Sequence, residues 1–151
     1  MPTSTRLAVA THVLATLALA RGAVVRSEAL ARSANTNASF VRRLLGSLAD
    51  DGLTTSQMGQ GGGALLARLP QKITLLDVYR AVEEPSFFAL HHDGPNKACP
   101  IGKNITAVLR EEFSGASAAL ESALAKTTIA TVAKKVAART TDAAIASVLG
   151  Q

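Results

Sequence analysis

The sequence contains few aromatic residues and a single cysteine. Phe, Trp and Tyr make up 3% of the 151 residues, whereas hydrophobic residues make up 48%, many of them alanine. This composition favours closely packed helices over a β-sandwich. Because Cys99 is the only cysteine, the chain has no internal disulfide framework and no all-cysteine zinc site, and a reducing, cytoplasmic compartment is expected.

Long apolar runs are also missing. No segment approaches the roughly 18 apolar residues that a membrane span needs, so no membrane partner is expected. The stretch from Arg6 to Ala20 resembles a secretory signal peptide. However, Thr11, His12 and Thr16 interrupt it, and its apolar residues recur at helical spacing on two sides. A helix buried from two sides is therefore the favoured interpretation, with a signal peptide as the alternative.

Positive charge is concentrated in the first half of the chain. Residues 1–70 carry seven arginines against three acidic residues, whereas residues 71–151 carry nine basic against eight acidic residues. Arginine binds phosphate groups and guanine edges well. The distribution therefore predicts an anionic partner for the first half.

The first 52 residues predict three helices. The first runs from about Thr5 to Arg21, and the second is short and starts at Ser27 as its N-cap. The third follows a polar turn at residues 35–37 and ends at Gly52.

A β-hairpin and a fourth helix are predicted next. Residues 53–58 and 64–69 form the two strands, and the glycines between them form the turn. Thr74 and Asp77 are spaced as in a capping box, and Pro85 stops the helix that they begin.

The second half is dominated by a long helix. After a loop at residues 85–98, the pattern predicts a helix from Cys99 to about Lys126. At 1.5 Å per residue this helix is roughly 39 Å long, more than so small a domain can cover with its own core, so a partner helix is expected. A last helix begins at about Thr128, and the tail after Arg139 is expected to be a weak helix or partly disordered.

This order of elements is that of a winged helix-turn-helix, in which the helix after the turn enters the DNA major groove. The outward face of the third helix carries Arg42 and Arg43 among small side chains such as Ser39. A lone Arg-Arg pair is usually a solvated helix face, but its position after the turn favours DNA. Whether these arginines bind guanine or phosphate stays open at this level.

The segment GQGGGALLARLP invites enzyme interpretations. It lacks the Lys-Ser or Lys-Thr of a nucleotide-binding P-loop. It does match a dinucleotide fingerprint, with Glu83 at the expected distance, but only six residues separate Gly63 from Pro70, too few for the helix that this fold requires. The glycines are therefore interpreted as the tip of a wing whose backbone amides approach phosphate. Because no carboxylate pair or Ser/His/Asp set is found either, no enzyme is predicted.

Four segments carry a family resemblance: SEALARSANTNASFVRRLLGSLADDGL, GQGGGALLARLP, ITLLDVYRAVEE and CPIGKNITAVL. In this order they resemble the Rrf2 family of bacterial transcriptional regulators over roughly residues 5–136. The resemblance implies a homodimer, joined largely through the helix at 99–126, that binds a partly palindromic double-stranded DNA operator and usually represses. The implied DNA contacts are Arg26, Ser27, Asn37, Ser39, Phe40, Arg42, Arg43, Gln60, Gly61, Gly62 and Gly63.

The resulting organisation is mostly α with a small β-hairpin. Residues 1–84 are predicted to form a winged helix-turn-helix DNA-binding domain, residues 85–98 a loop, residues 99–137 dimerisation helices and residues 138–151 a C-terminal tail. A winged-helix module that binds another protein without reading DNA is the alternative function.

Many members of this family hold an iron–sulfur cluster through three cysteines, and this chain departs from that pattern. With Cys99 alone, no cluster and no other cofactor are expected. His91 and His92, together with Cys99, are weak metal-site candidates, since adjacent histidines in a loop are usually solvated. His12 lies on the first helix, where some relatives place a ligand that is not cysteine.

Cys99 itself stands at a predicted helix start, with Lys97 and Lys103 nearby. A helix N-terminus and cations stabilise a thiolate, so Cys99 is a candidate redox or electrophile sensor. A cysteine that is merely packed in a hinge is the other interpretation, and the sequence leaves both open.

Overall fold

The computed structural model describes residues 4–84 and 86–150. They contain two strands, β1 (Thr54–Gln57) and β2 (Gly63–Leu66), and a 3-10 turn at Pro70–Lys72. The helices in the described residues are α1 (Arg6–Leu19), α2 (Ser27–Ser33), α3 (Ala38–Asp50), α4 (Leu75–Val82), α5 (Pro100–Ala125), α6 (Ile129–Ala137) and α7 (Asp142–Leu149). The predicted fold class, mostly α with a small hairpin and a long helix, is confirmed.

The chain divides into two compact units. The first unit comprises the residues up to 83 and those from 125 onward, and the second comprises residues 84–124. Among the helices of the described residues, none combines the length and the apolar character that crossing a membrane requires.

Helix α1 is the central element of the first unit and is buried from two sides. Ala10 and Leu14 belong to a core cluster with residues of α3, α4 and α6, whereas Val13 and Leu17 belong to another with residues of α2 and α3. The interpretation of residues 6–20 as a two-sided buried helix is confirmed.

Side-chain caps fix where several helices begin. Asn37 accepts a hydrogen bond from the Phe40 N–H at 2.7 Å and so begins α3, and Thr74 and Asp77 form the predicted capping box of α4. One predicted cap is wrong: Arg26 is the N-cap of α2, and Ser27 is already its first helical residue. The reason is that Arg26 has the extended backbone of an N-cap, with φ −72° and ψ 148°.

The wing is an antiparallel pair in which Thr54 faces Leu66 and Gln57 faces Gly63. Its strands are shorter than predicted, because the chain leaves β2 after Leu66 for the 3-10 turn that begins at Pro70. The segment before α2 pairs with the wing through two hydrogen bonds between Val25 and Ala64, of 3.1 and 2.8 Å.

The last two helices belong to the first unit. Residues 129–137 form α6, which is part of the first unit, and the role of this helix in dimerisation stays a prediction. Ile129 is fully buried in the core, and its N–H donates to the Ile73 carbonyl at 2.8 Å. The tail, which was expected to be a weak helix or partly disordered, forms the short helix α7 over residues 142–149, capped by Thr141, with Leu149 packed against the core.

The second unit consists of a loop and most of α5. Residues 86–98 form no helix or strand, as predicted, while Pro85, the predicted helix stop, lies outside the described residues. The Phe88 and Phe113 rings contact each other with centroids 5.1 Å apart. Helix α5 has no buried residue, although all 26 of its residues are described, and Ile101 on this helix is 74% exposed.

Candidate nucleic-acid interface

The turn between α2 and α3 fixes the orientation of α3. Asn35 takes a left-handed conformation with φ +49°, and the Thr36 N–H donates to the Ala31 carbonyl at 2.9 Å. Leu30 of α2 and Val41 of α3 are both fully buried in one core cluster. Because this contact anchors the inner face of α3, its opposite face is held toward solvent.

That outer face carries the predicted DNA-contacting side chains. Ser39, Arg42 and Arg43 are exposed, whereas Val41 and Leu44 are buried on the inner face. The predicted separation of faces along α3 is therefore confirmed, and contact with DNA itself stays a prediction.

Arg42 forms an ion pair that the sequence did not suggest. Its Nη2 donates a hydrogen bond to Oε1 of Glu28 on α2, and both side chains remain about half exposed. The backbone N–H of Glu28 and the Arg42 guanidinium hold the pKa of the Glu28 carboxyl below its usual value. Arg42 is thus held beside an ionised carboxylate on the candidate surface.

Phe40 and Asn37 have structural roles in addition to their predicted ones. Phe40 is half-buried against the core, and Cζ of Arg43 lies 5.7 Å from its ring centroid, within the range of a cation–π contact. The Asn37 side chain is exposed, but its oxygen already caps α3. Its NH₂ group is the part that can still donate to a ligand.

A groove of about 350 Å³ lies between α3 and the wing. It brings together three of the predicted residues, Ser27, Arg42 and Gly63, and we call it the α3–wing groove. Two further lining residues, Gln57 and Met58, were not among the predictions. The side chain of Met58 is 88% exposed at the end of β1. A large apolar residue in a predicted hairpin is the sequence signal that could have marked Met58 as part of this surface.

The glycines of the wing are explained by local backbone geometry. Gly59 and Gly61 have φ +92° and +76°, a conformation that favours glycine. A Cβ at Gly62 would lie 2.2 Å from the Gln57 carbonyl oxygen, and one at Gly63 would lie 2.5 Å from the Val25 carbonyl oxygen. Turn geometry and crowding therefore account for these residues, while Gln60 and Gly61 are exposed at the tip.

Arg26 lies at the edge of the same region. It is exposed at the start of α2, and its carbonyl accepts the Leu30 N–H at 3.1 Å. Its side chain makes no cap hydrogen bond.

The candidate sensor Cys99 lies in the second unit, just before α5. Its N–H donates to the Asn96 carbonyl at 3.2 Å, and the residue is half-exposed. Hydrogen bonds from the N–H groups of Gly102 and Ile101 lower the pKa of the thiol. The predicted effect of the helix N-terminus is present, whereas Lys97 and Lys103 are not among the causes of the shift.

The predicted weak metal ligands do not form a cluster in the described part of the chain. His91 and His92 are exposed, and Nδ1 of His92 lies 3.0 Å from Oδ1 of Asp93. His12 Nε2 instead lies 2.8 Å from Ser33 Oγ. Within residues 4–84 and 86–150, no three His, Cys, Asp or Glu residues come together in a way that could hold a metal ion.

Comparisons with known proteins agree with this geometry. The Rrf2 family model, described as iron-dependent transcriptional regulators, matches residues 3–135. The chain is 39% identical over 122 residues to YwnA of Bacillus subtilis (strain 168), an inferred HTH-type transcriptional regulator, covering 81% of this chain and 90% of YwnA.

Two crystal structures show the same fold. One, of an inferred DNA-binding protein, is 37% identical, with a TM-score of 0.69 and coverage of 84% of this chain and 97% of that protein. The other, an inferred transcriptional regulator from Lactobacillus plantarum, is 27% identical, with a TM-score of 0.73 and coverage of 87% and 89%.

The family description implies iron, and the donor atoms of this chain do not fit a resident iron centre. Iron–sulfur clusters are held by several thiolates, and Cys99 supplies the only thiol. The nearby loop histidines are solvated, with His92 beside Asp93.

Proposed function

Because this chain belongs to the Rrf2 family of transcriptional regulators, we propose that it is a homodimeric repressor that reads an operator in double-stranded DNA and acts in the cytoplasm. DNA-binding regulation of transcription is the activity of the family, so the chain is not an enzyme. The observation that carries the finer proposal is the outer face of α3, which presents Ser39, Arg42 and Arg43 beside the wing.

In this proposal α3 enters the major groove and the wing lies along the adjacent backbone or minor groove. Arg42 and Arg43 bind guanine edges or phosphates. The other base or backbone contacts are Asn37, Ser39 and Phe40 on α3, Arg26 and Ser27 at α2, and Gln60, Gly61, Gly62 and Gly63 in the wing. Seven arginines against three acidic residues in residues 1–70 supply the positive field.

Helix α5 joins the two copies of the dimer in this proposal. The support is its apolar side chains, since Ile101, Val108 and Leu120 are 74%, 51% and 39% exposed in the single chain. A second α5 that covers them would remove this apolar area from water. A two-fold dimer presents two α3 helices, which explains why a partly palindromic operator is expected.

The test is fluorescence anisotropy with labelled DNA from upstream of the gene that encodes the chain. We expect Arg42→Ala and Arg43→Ala each to weaken binding by about 1–3 kcal/mol and to leave the dimer intact. Lys134→Ala, which removes the same charge from an exposed position on α6, is the matched control. If the control weakens binding equally, or if binding does not fall with added salt, the proposal is wrong.

Cys99 is the proposed point at which oxidants act on the regulator. Its lowered pKa supports this role, because the thiolate is the reactive form. The thiolate attacks one oxygen of a peroxide, the O–O bond breaks, a sulfenic acid forms, and the other oxygen takes up a proton and leaves as water or an alcohol. Peroxide is expected to weaken DNA binding by the wild type and not by Cys99→Ser. Equal loss in both proteins would contradict the role.

The proposed regulator works without a resident iron–sulfur cluster. An absorbance spectrum of protein purified without oxygen tests this, and a visible band from a bound cluster would overturn it.

A further inference from the structure

A cavity of about 510 Å³ lies within the first unit, between α1, α6 and α7. Ser33, the last residue of α2, also lines it. No part of the DNA-binding proposal uses this cavity. Its volume lies in the range of roughly 300–1,000 Å³ that is usual for small-molecule sites.

The walls of the cavity are mainly apolar. Two of its lining side chains, Val136 and Val148, are 44% and 40% exposed, so apolar surface at the cavity still faces water. No Asp, Glu, Lys or Arg is among the lining residues. An uncharged, largely apolar occupant would therefore gain from burial and would lose no charge–charge contact.

One hydrogen-bonded pair in the wall can recognise a polar group. His12 Nε2 and Ser33 Oγ lie 2.8 Å apart, and both residues line the cavity. An imidazole and a hydroxyl can each donate or accept a hydrogen bond, so a polar group of the occupant can replace one partner of this pair. The occupant is thus expected to carry one hydrogen-bonding group on an otherwise apolar body.

The size of the cavity favours a small molecule over a segment of protein. A specific protein partner usually covers about 800 Å² on each surface, far more than the walls of one site of about 510 Å³ offer. All lining residues belong to the first unit of one chain. We propose that this cavity is a binding site for an uncharged, mostly apolar small molecule with one hydrogen-bonding group.

The position of Ser33 links the site to DNA binding, and this link rests on the proposed function. Ser33 lies two residues before Asn35, the left-handed residue of the turn that leads to α3. A ligand that takes the hydrogen bond of His12 or Ser33 breaks a tie between α1 and the end of α2. The expected consequence is a less ordered helix-turn-helix and weaker binding to DNA.

The test uses N-phenyl-1-naphthylamine, a neutral apolar fluorophore with one N–H, titrated into the full chain. We expect saturable binding with one probe per chain. Ala144→Trp and Ala8→Trp place an indole in the cavity from α7 and from α1, and each should weaken probe binding by roughly tenfold or more. Ala143→Trp is the control, because this exposed neighbour on α7 does not line the cavity.

Circular dichroism checks that each variant is folded. Because the two filling substitutions lie on different helices, the test remains possible if one of the two variants does not fold. Absence of saturable binding, as when a second copy covers the cavity, overturns the proposal. Equal probe affinity in the wild type and in the folded filling variants overturns it as well.

A second experiment measures whether the probe changes DNA binding, with the labelled DNA from upstream of the gene that encodes the chain. Saturating probe should weaken DNA binding by about threefold or more in the wild type and in Ala143→Trp, but not in Ala144→Trp. Probe binding without any change in DNA affinity would overturn the link. If no DNA binds even without the probe, the proposed function fails, while the titration still decides whether the cavity is a site.

Discussion

The two units of the chain differ in how completely they bury their apolar side chains. In the first unit, Leu14, Leu48 and Ile129 are completely buried among residues from several helices. In the second unit, α5 leaves Ile101 and Val108 mostly exposed. A helix gains most of its stability from packing of its apolar face. The first unit therefore has a core of its own, whereas the apolar side chains of α5 lack this stabilisation in the single chain.

The largest expected effect comes from opening the core of the first unit. Leu14→Ala should lower the free energy of unfolding by about 2–5 kcal/mol, because Leu14 is 0% exposed and its loss leaves a cavity. Urea denaturation followed by circular dichroism measures this. Leu120→Ala, at a position that is 39% exposed on α5, is the comparison and should cost less than about 1 kcal/mol in dilute protein. Equal losses would contradict the contrast between the units.

Next in size is the effect of a charge on the apolar face of α5. Val108→Asp should raise the dissociation constant of the dimer by roughly a hundredfold, because each dimer would bury two carboxylates. Analytical ultracentrifugation measures the shift toward monomer. Ser114→Asp places the same charge at an exposed position outside this face and should leave the dimer unchanged. A Val108→Asp protein that still dimerises like the wild type would show that this face is not the interface.

A smaller effect is expected from adding one methyl group to a glycine of each unit. Gly63→Ala should destabilise the first unit by about 1–3 kcal/mol, since its Cβ would lie 2.5 Å from the Val25 carbonyl oxygen. Gly115→Ala on α5 meets no atom within 4 Å and should stabilise the helix by about 0.5–1 kcal/mol. Thermal denaturation of both variants distinguishes these signs, and destabilisation by Gly115→Ala would show that α5 is closely packed at this position.

The smallest effect concerns the pH dependence of Cys99. Because the N–H groups of Gly102 and Ile101 lower the thiol pKa, the thiolate persists to lower pH in the folded protein than in the unfolded chain. The rate of alkylation by iodoacetamide should therefore reach half its maximum at a lower pH in the native protein than in denaturant. Coincident pH profiles would indicate that the start of α5 does not act on the thiol.

Local sequence signals predicted most of the fold. The capping box at Thr74 and Asp77 and the extent of α5 could be predicted because the interactions that set them lie within a few residues. The association of α6 with the first unit was not predicted. The place of α6 depends on the pairing of Thr74 with Thr128, which are far apart in the chain, and no periodicity within α6 contains that information.

The candidate site shows the same limit. The exposure of Arg42 and Arg43 follows from the helical period of α3 and was predicted. The pairing of Arg42 with Glu28 joins residues 14 positions apart and depends on how α2 and α3 pack. The crowding at Gly63 likewise comes from Val25, which reaches the wing only in the folded chain.

The ion pair between Arg42 and Glu28 has a consequence for how the proposed regulator searches a genome. If DNA contacts Arg42 as proposed, it must displace the Glu28 carboxylate, so every site meets the same initial penalty. A guanine at the right position compensates for it through a bidentate contact with Arg42. The carboxylate thus lowers the affinity for unrelated DNA and for the operator by the same factor, and it shortens the time spent on each unrelated site. Glu28→Gln is expected to bind the operator and unrelated DNA more tightly by a similar factor, so that the ratio of the two affinities stays nearly the same.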